Sequence, residues 1–174
     1  MGSDKLKSYL IQKFEEWLYQ QREIHLPKAR PLSNEERSRL SGYFEERILN
    51  LTRVATVDHI PNPQFYEEFR EREMPIPMDF TSAVGLTLLD CVLLQKGSWS
   101  ISTLFHEMVH VIQADLLGIR KLAELYLDDL AENGYLRVSF ERQAYDLTAR
   151  FTQGKSFSVR EILEKEFMKR FTSI

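Results

Sequence analysis

The chain of 174 residues is long enough for one domain with a sizeable buried core. Its 43% hydrophobic and 28% charged residues are typical of a globular protein, and no apolar run reaches the roughly 18 residues of a membrane span. A net charge of -3, with basic residues scattered among acidic ones, argues against nucleic acid or an anionic membrane as a partner.

The number of cysteines and the N-terminal residues indicate the cellular compartment that is expected for the protein. Cys91 is the single cysteine, so an internal disulfide is excluded and a reducing compartment is expected. The first residues carry no apolar stretch of the kind that a secretory signal contains. We therefore predict a cytoplasmic protein.

The N-terminal part of the chain predicts two helices. Apolar residues at helical spacing indicate the first helix over about residues 4–25, and Pro27 ends it. Ser33 and Glu36 form a capping-box pattern, which opens a second helix through about Asn50.

The next segment mixes strand, helix and loop signals. Residues 52–58 alternate and are rich in β-branched side chains, so they predict a strand. Asn62 followed by Pro63 is an N-cap pattern, which predicts a short helix to about Arg72. The two prolines within residues 74–77 predict a loop.

Strand material also fills residues 83–95, as one bent strand or as a short pair around Asp90. Ser98 or Ser100 then caps a long helix, and Gly118 ends it. We expect the sheet to pack against this helix.

Further helices are predicted over about residues 121–130 and 139–151, with a turn at Asn133-Gly134 between them. A last helix, opened by a capping-box pattern, is predicted over about residues 158–171. The overall prediction is one α+β domain over residues 1–174, mostly helical, with a small mixed or antiparallel sheet. Its parts are an N-terminal helical part (4–50), a core (52–152) and a C-terminal helix (158–171).

The most informative motif is His106-Glu107-Met108-Val109-His110, which reads H-E-x-x-H. Positions i and i+4 lie above one another on a helix, so the two imidazoles can hold one zinc ion with Glu107 beside the open coordination position. The side chains around the motif are apolar on nearly every side of the helix, which predicts that the helix is buried. Because buried histidines need partners, this context favours metal binding over a solvated helix edge.

A catalytic zinc site takes three protein ligands, and the motif supplies two. Gln113 excludes the metzincin pattern, and Asp115 lies about 140° around the helix from His110. The remaining candidates are carboxylates on later helices: Glu124, Asp128, Asp129, Glu132 and Glu141. Glu141 is preferred because it enters a predicted helix in which Ala144 is small enough for close helix packing.

These segments resemble the gluzincin branch of zinc peptidases, in which a glutamate from an E-x-x-A-like segment of a second helix completes H-E-x-x-H. They also resemble a group of small bacterial zincin-like proteins. That group carries a G-[IL]-T-[FL] strand, an H-E-x-V-H-V-x-Q helix and an E-x-x-A-Y segment, which read here Gly85–Leu88, His106–Gln113 and Glu141–Tyr145. The resemblance covers under half of the chain. It implies a zincin-like fold with Zn²⁺ held by the two motif histidines and Glu141.

One position departs from the thermolysin-like pattern. Those proteins often place aspartate four residues after the ligand glutamate, where it orients a ligand histidine, and Tyr145 stands there in this chain. Such partners fix the tautomer of a ligand histidine. The candidates for this role are Tyr145, Asp146, Asp90 and a backbone carbonyl.

The chemistry of the motif predicts how a catalytic site would act. Glu107 is expected to take a proton from a zinc-bound water and pass it to the leaving amine. The oxyanion needs a donor, and spacing favours none of Tyr126, Tyr135, Tyr145, His59 and Arg142. In the resembling families the strand before the motif helix pairs with extended substrate, so residues 83–89 are expected to bind peptide as an added strand.

The sequence therefore predicts a zinc-dependent hydrolase, in the first place a peptidase acting on a peptide or protein substrate. Two alternatives stay open. One is a zincin-fold binding protein whose metal is structural or whose activity has lapsed, and the other is a hydrolase of a non-peptide amide. The intact Glu107 argues against a purely structural metal, which needs no general base.

Overall fold

A computed structural model of the chain describes residues 3–71, 79–133 and 138–172. It is 66% helical with one four-stranded mixed sheet, so the predicted α+β class is confirmed. The helices are α1 (Ser3–His25), α2 (Asn34–Leu40), α3 (Glu46–Leu51), α4 (Tyr66–Glu71), α5 (Ile101–Leu117), α6 (Ile119–Asn133), α7 (Ser139–Thr152) and α8 (Val159–Thr172). The strands are β1 (Arg30–Pro31), β2 (Arg53–Val57), β3 (Gly85–Leu88) and β4 (Cys91–Gln95). Within the described ranges, no helix combines the length and apolarity that a membrane span requires.

The strands lie in the order β1-β2-β4-β3. β2 and β4 run parallel, whereas β1 pairs antiparallel with β2, and β3 pairs antiparallel with β4. The strand predicted over residues 52–58 is confirmed as β2. Residues 83–95 form a pair of strands rather than one bent strand, and the chain turns at Leu89 and Asp90. β3 therefore lies at one edge of the sheet, where it contacts α5.

The single helix predicted from Ser33 to about Asn50 is wrong, because α2 and α3 replace it. Its capping box is confirmed: Ser33 Oγ accepts from the backbone N–H of Glu36, and the Glu36 carboxylate accepts from the N–H of Ser33. The break between the helices contains Gly42 at φ +87°, a left-handed conformation that glycine adopts without steric cost. Apolar periodicity continues across this corner, so it does not reveal the break.

The short helix predicted to begin at Asn62 begins at Tyr66 instead. The Asn62 side chain does not cap α4: its Nδ2 donates to Asp79 Oδ1 at 2.9 Å, and its Oδ1 accepts from the N–H of Phe80 at 2.8 Å. This amide joins the segment after β2 to the segment before β3. The loop predicted at residues 74–77 lies outside the described residues.

The boundaries of the motif helix α5 agree with prediction. Ser100 Oγ accepts from the backbone N–H of Thr103 at 3.0 Å, and Gly118 follows the last turn at φ +73°. α6 begins directly afterwards at Ile119, two residues earlier than predicted, while α7 and α8 match their predicted ranges to within one residue. Asn133 of the predicted turn is instead the last residue of α6, and Gly134 lies outside the described residues.

α5 is the central helix of the fold. It packs against β3 and β4 of the sheet and against α6, α7 and α8. Leu104, Phe105, Met108 and Val109 of this helix are fully buried, and each such side chain contributes about 1.5–3 kcal/mol by its burial. Phe105 stacks on Phe151 of α7 with the ring centroids 4.3 Å apart. This packing holds α7 against the helix that carries the motif.

Candidate metal centre

The two motif histidines lie one turn apart on α5, on the side that faces α7. Their Nε2 atoms are 3.2 Å apart, and their rings meet at 78°. The side chains of His106 and His110 are only 14% and 17% exposed. Two facing lone pairs at this distance repel one another, so a proton or a metal cation between the nitrogens is needed.

Glu141 of α7 reaches both histidines. Its Oε2 lies 3.4 Å from His106 Nε2 and 3.6 Å from His110 Nε2. The close approach of the two helices is helped by Ala144, which is fully buried. Within the described part of the chain, these three residues are the one group of histidine, cysteine or carboxylate side chains with ligand atoms close enough to share a metal ion.

The three separations fit a tetrahedral zinc site. Zinc binds histidine nitrogen and carboxylate oxygen at about 2.0–2.2 Å, so neighbouring ligand atoms of a tetrahedron lie roughly 3.4 Å apart. The observed distances are 3.2, 3.4 and 3.6 Å. Two imidazoles and a carboxylate are also a ligand set of catalytic zinc sites, which keep a fourth position for water. Both the donors and their spacing therefore suit a zinc ion.

Burial and charge act in opposite directions on these groups. Burial lowers the pKa of His110, but the Glu141 carboxylate outweighs it and raises that pKa to about 9. Burial raises the pKa of Glu141, but His110 and His106 hold it well below its usual range. Without a metal the cluster therefore holds a proton that a divalent cation would displace on binding.

Glu107 extends from α5 toward β3 and is only 6% exposed. Its Oε2 accepts a hydrogen bond from Thr87 Oγ1 at 2.8 Å. Gly85 leaves the space that the carboxyl group fills, since a Cβ there would lie 2.4 Å from Glu107 Oε1. Burial raises the pKa of Glu107, and the charges of His110 and His106 oppose this rise. β3 thus supplies a hydrogen-bond donor to Glu107, the candidate general base, and leaves space for its carboxyl group.

Sequence reasoning missed Gln113 as the partner of His110. The Gln113 Oε1 lies 2.7 Å from His110 Nδ1, while the other ring nitrogen of His110 lies in the cluster. Gln113 is fully buried. A signal for this contact was available, because residues i and i+3 are neighbours on a helix and a buried amide needs partners.

Of the three side chains predicted for that partner role, Tyr145 contacts the other ligand histidine, whereas Asp146 and Asp90 lie elsewhere. Tyr145 packs its ring against His106 with centroids 4.6 Å apart, but it is 62% exposed. Asp146 lines a separate pocket of about 190 Å³ between α7 and α8. Asp90 accepts from Arg22 of α1 at 2.8 Å, at the turn between β3 and β4.

The other carboxylates considered as a third ligand are engaged away from the cluster or not described. Glu124 and Asp128 form ion pairs with lysines at 2.9 and 2.6 Å. Asp129 binds Arg170 at 3.0 Å. The side chain of Glu132 lies outside the described residues. Glu141 is therefore the candidate that reaches the histidines.

Two of the five oxyanion donors considered line the same cleft as the cluster, namely Tyr126 on α6 and Tyr145 on α7. Burial and the nearby carboxylates raise the pKa of Tyr145, so its hydroxyl keeps its proton at neutral pH. Arg142 lines the separate pocket between α7 and α8, and His59 is exposed after β2. Tyr135 lies outside the described residues.

A cleft of about 790 Å³ opens over the cluster. It lies between α1, β3, α5, α6 and α7, and a volume of this size accommodates a short peptide segment. Its walls away from the cluster are largely apolar and include Phe14, Leu18, Leu86, Ile119 and Leu122.

Comparison with known proteins adds no relative. No protein-family model matches the chain, and neither a curated protein nor a solved structure shows significant similarity to it. The function is therefore inferred from the residues and their geometry.

Proposed function

We propose that this protein is a zinc-dependent hydrolase and that its substrate group is a peptide bond. The observation that carries the proposal is the convergence of three ligand atoms, 3.2 to 3.6 Å apart, beside a buried glutamate. The ligands are His106, His110 and Glu141, and the buried glutamate is Glu107.

These three ligands would hold a zinc ion, which would lower the pKa of a bound water to about 7 and act as a Lewis acid toward the substrate carbonyl. Glu107 acts as the general base, accepting a proton from the attacking water and then donating it to the leaving amine nitrogen. Thr87 holds one carboxylate oxygen of Glu107 and so orients the carboxyl group. Burial raises the pKa of Glu107, which suits a group that must both accept and donate near neutral pH.

The negative oxygen that develops on the reacting carbonyl needs a hydrogen-bond donor from the chain. Tyr145 is our first choice, because its ring lies against His106 and its hydroxyl stays protonated at neutral pH. Tyr126 lines the same cleft from α6 and is the second choice.

The edge of the sheet and the cleft walls suggest the substrate class. Within the described residues, β3 pairs with β4 alone, so an extended peptide can add to its other edge through main-chain hydrogen bonds. The apolar walls favour burial of apolar side chains. We therefore propose a peptide or protein segment with apolar side chains close to the scissile bond.

Two other functions use the same residues. A binding protein with a structural metal is favoured by the Thr87–Glu107 hydrogen bond, because that bond gives Glu107 a role without catalysis. A hydrolase of non-peptide amides would use the metal and Glu107 but would not need the edge of β3. Both are outcomes of the experiment below.

We also propose a cytoplasmic setting. The single cysteine, Cys91, is buried and free, and burial raises the pKa of its thiol to about 11. An inert buried thiol needs no oxidising environment.

Glu107→Gln tests the enzyme directly, since it keeps the volume and hydrogen-bonding shape but removes the base. We expect unchanged zinc content and a fall in peptide turnover of about 10²–10⁴-fold. Glu124→Gln is the matched control, because it removes one carboxylate that pairs with a lysine away from the cluster. The assay is cleavage of a diverse peptide library with and without a chelator.

Cleavage that survives Glu107→Gln or the chelator would contradict the mechanism. Peptide binding of equal affinity in both forms, with cleavage in neither, would identify a binding protein. Cleavage restricted to non-peptide amides would identify the third function.

A further inference from the structure

Gln113 belongs to a chain of hydrogen bonds that leads from His110 to the surface of α8. Its Oε1 lies 2.7 Å from His110 Nδ1, and its Nε2 lies 3.1 Å from the carbonyl oxygen of Phe140 and 3.0 Å from Gln143 Oε1. Gln143 Nε2 lies 2.6 Å from Glu166 Oε2. The chain thus joins α5, α7 and α8.

The direction of each hydrogen bond follows from two groups that only accept. The carbonyl of Phe140 accepts, so Gln113 turns its NH₂ toward it and its oxygen toward His110. The Glu166 carboxylate also accepts, so Gln143 turns its NH₂ outward and its oxygen toward Gln113. His110 Nδ1 is therefore the donor, which leaves the Nε2 lone pair for the metal cluster.

We propose that Gln113, Gln143 and Glu166 form a relay that holds His110 in its metal-binding tautomer, with Gln113 as the positioning residue in contact with the ligand. This inference rests on the metal centre proposed above. All donors point from His110 toward Glu166, so each hydrogen bond polarises the next and raises the electron density at Nε2. Many ligand histidines bond directly to a carboxylate or carbonyl. Here two amides connect the histidine to the carboxylate.

Two substitutions of Gln113 separate this role from packing. Gln113→Leu removes the acceptor for His110, so the zinc dissociation constant should rise by about 10–100-fold. Gln113→Glu keeps an acceptor for His110 but loses the donor to Gln143, so the dissociation constant should rise by only about threefold, as in loss of the outer end of the relay. Both variants lose the hydrogen bond to Phe140, so both should lower the stability of the metal-free protein.

The outer end of the relay is tested by Glu166→Gln. It should weaken zinc binding by only about two- to threefold, because Glu166 is exposed and its charge is screened by water. Glu164→Gln on the same helix is the matched control and should leave zinc binding unchanged.

The readouts are competition with a chelator for Zn²⁺, denaturant unfolding of the metal-free protein, and nitrogen NMR of the zinc-loaded protein with labelled histidine. The NMR spectrum should show a slowly exchanging His110 Nδ1–H in wild type and Gln113→Glu, and its loss in Gln113→Leu. Equal zinc affinity of Gln113→Leu and wild type would overturn the relay. The relay would also be overturned if the loss of zinc affinity in both Gln113 variants were proportional to their loss of stability. A wild-type protein that binds no zinc would overturn the proposed metal centre as well as the relay.

Discussion

Gly85 and Glu107 share one space, because the carboxyl group fills the position that a Cβ would take at residue 85. An ideal Cβ there would lie 2.4 Å from Oε1, 2.8 Å from Cδ and 2.9 Å from Cγ of Glu107. The glycine is thus required by the close approach of a side chain to the strand. The candidate general base is placed by a missing side chain on β3 and by the hydroxyl of Thr87.

Gly85→Ala should destabilise the protein by about 1–3 kcal/mol, because Glu107 must leave its place beside Thr87. Glu107→Ala removes all three atoms that the new Cβ would meet. In that background Gly85→Ala should cost less than about 0.5 kcal/mol. Denaturant unfolding of the metal-free proteins gives this double-mutant cycle, and an equal cost in both backgrounds would rule out the shared space.

At the scale of the secondary-structure elements, the chain turns between α2 and α3 although its apolar periodicity continues. The backbone conformation of one residue determines this turn. The sequence pattern predicts one helix, but Gly42 adopts φ +87° and the chain turns. The turn places Phe44 against Phe105 of α5 with ring centroids 5.1 Å apart. This contact depends on tertiary packing, which helical spacing alone does not encode.

The substitution Gly42→Ala distinguishes this corner from a continuous helix, because the free energy of unfolding should change in opposite directions in the two cases. An added Cβ at Gly42 would meet no atom within 4 Å, so Gly42→Ala should cost about 1 kcal/mol for its left-handed backbone alone. In a helix interior the same change would stabilise by about 1 kcal/mol. Gly42→Asn is the control and should cost less, because asparagine tolerates this conformation. Urea unfolding measures all three proteins.

The cap of α2 predicts a pH dependence of stability. The Arg30 guanidinium, bonded at 2.7 Å to both carboxylate oxygens, holds the pKa of Glu36 at about 2 in spite of burial. A lowered pKa in the folded state stabilises the fold above the usual value of 4.5, and this contribution is lost as the pH falls toward 2. Because Arg30 is half exposed, we expect a loss of about 1–2 kcal/mol.

Unfolding free energies of wild type and Glu36→Gln, compared at about pH 5 and pH 2.5, measure this contribution. The difference between the two proteins should shrink by that amount at the lower pH. Glu35→Gln, an exposed neighbour, controls for the loss of one negative charge. A difference that does not change with pH would show that the Arg30 pair adds nothing to stability.

In the whole molecule, the candidate site forms where β3, α5 and α7 meet. Contacts between residues close in sequence could be predicted, whereas contacts between distant residues could not. The spacing of His106 and His110 is local, so helical geometry predicted their shared face. Glu141 depends on the packing of α7, and the residues alone left it as the preferred one of five carboxylates. The contact of Gln113 with His110 is also local, at i and i+3, and was predictable, whereas its partners on α7 lie 27 and 30 residues further along and were not.

The zinc content of four proteins tests the proposed metal centre most directly. Wild type and the control Glu124→Gln should each bind about one zinc ion per chain. Glu141→Gln should bind at least about tenfold more weakly, and His110→Ala should lose most of its zinc, because each removes one ligand. Full zinc occupancy in His110→Ala, or no zinc in the wild-type protein, would contradict the proposed centre.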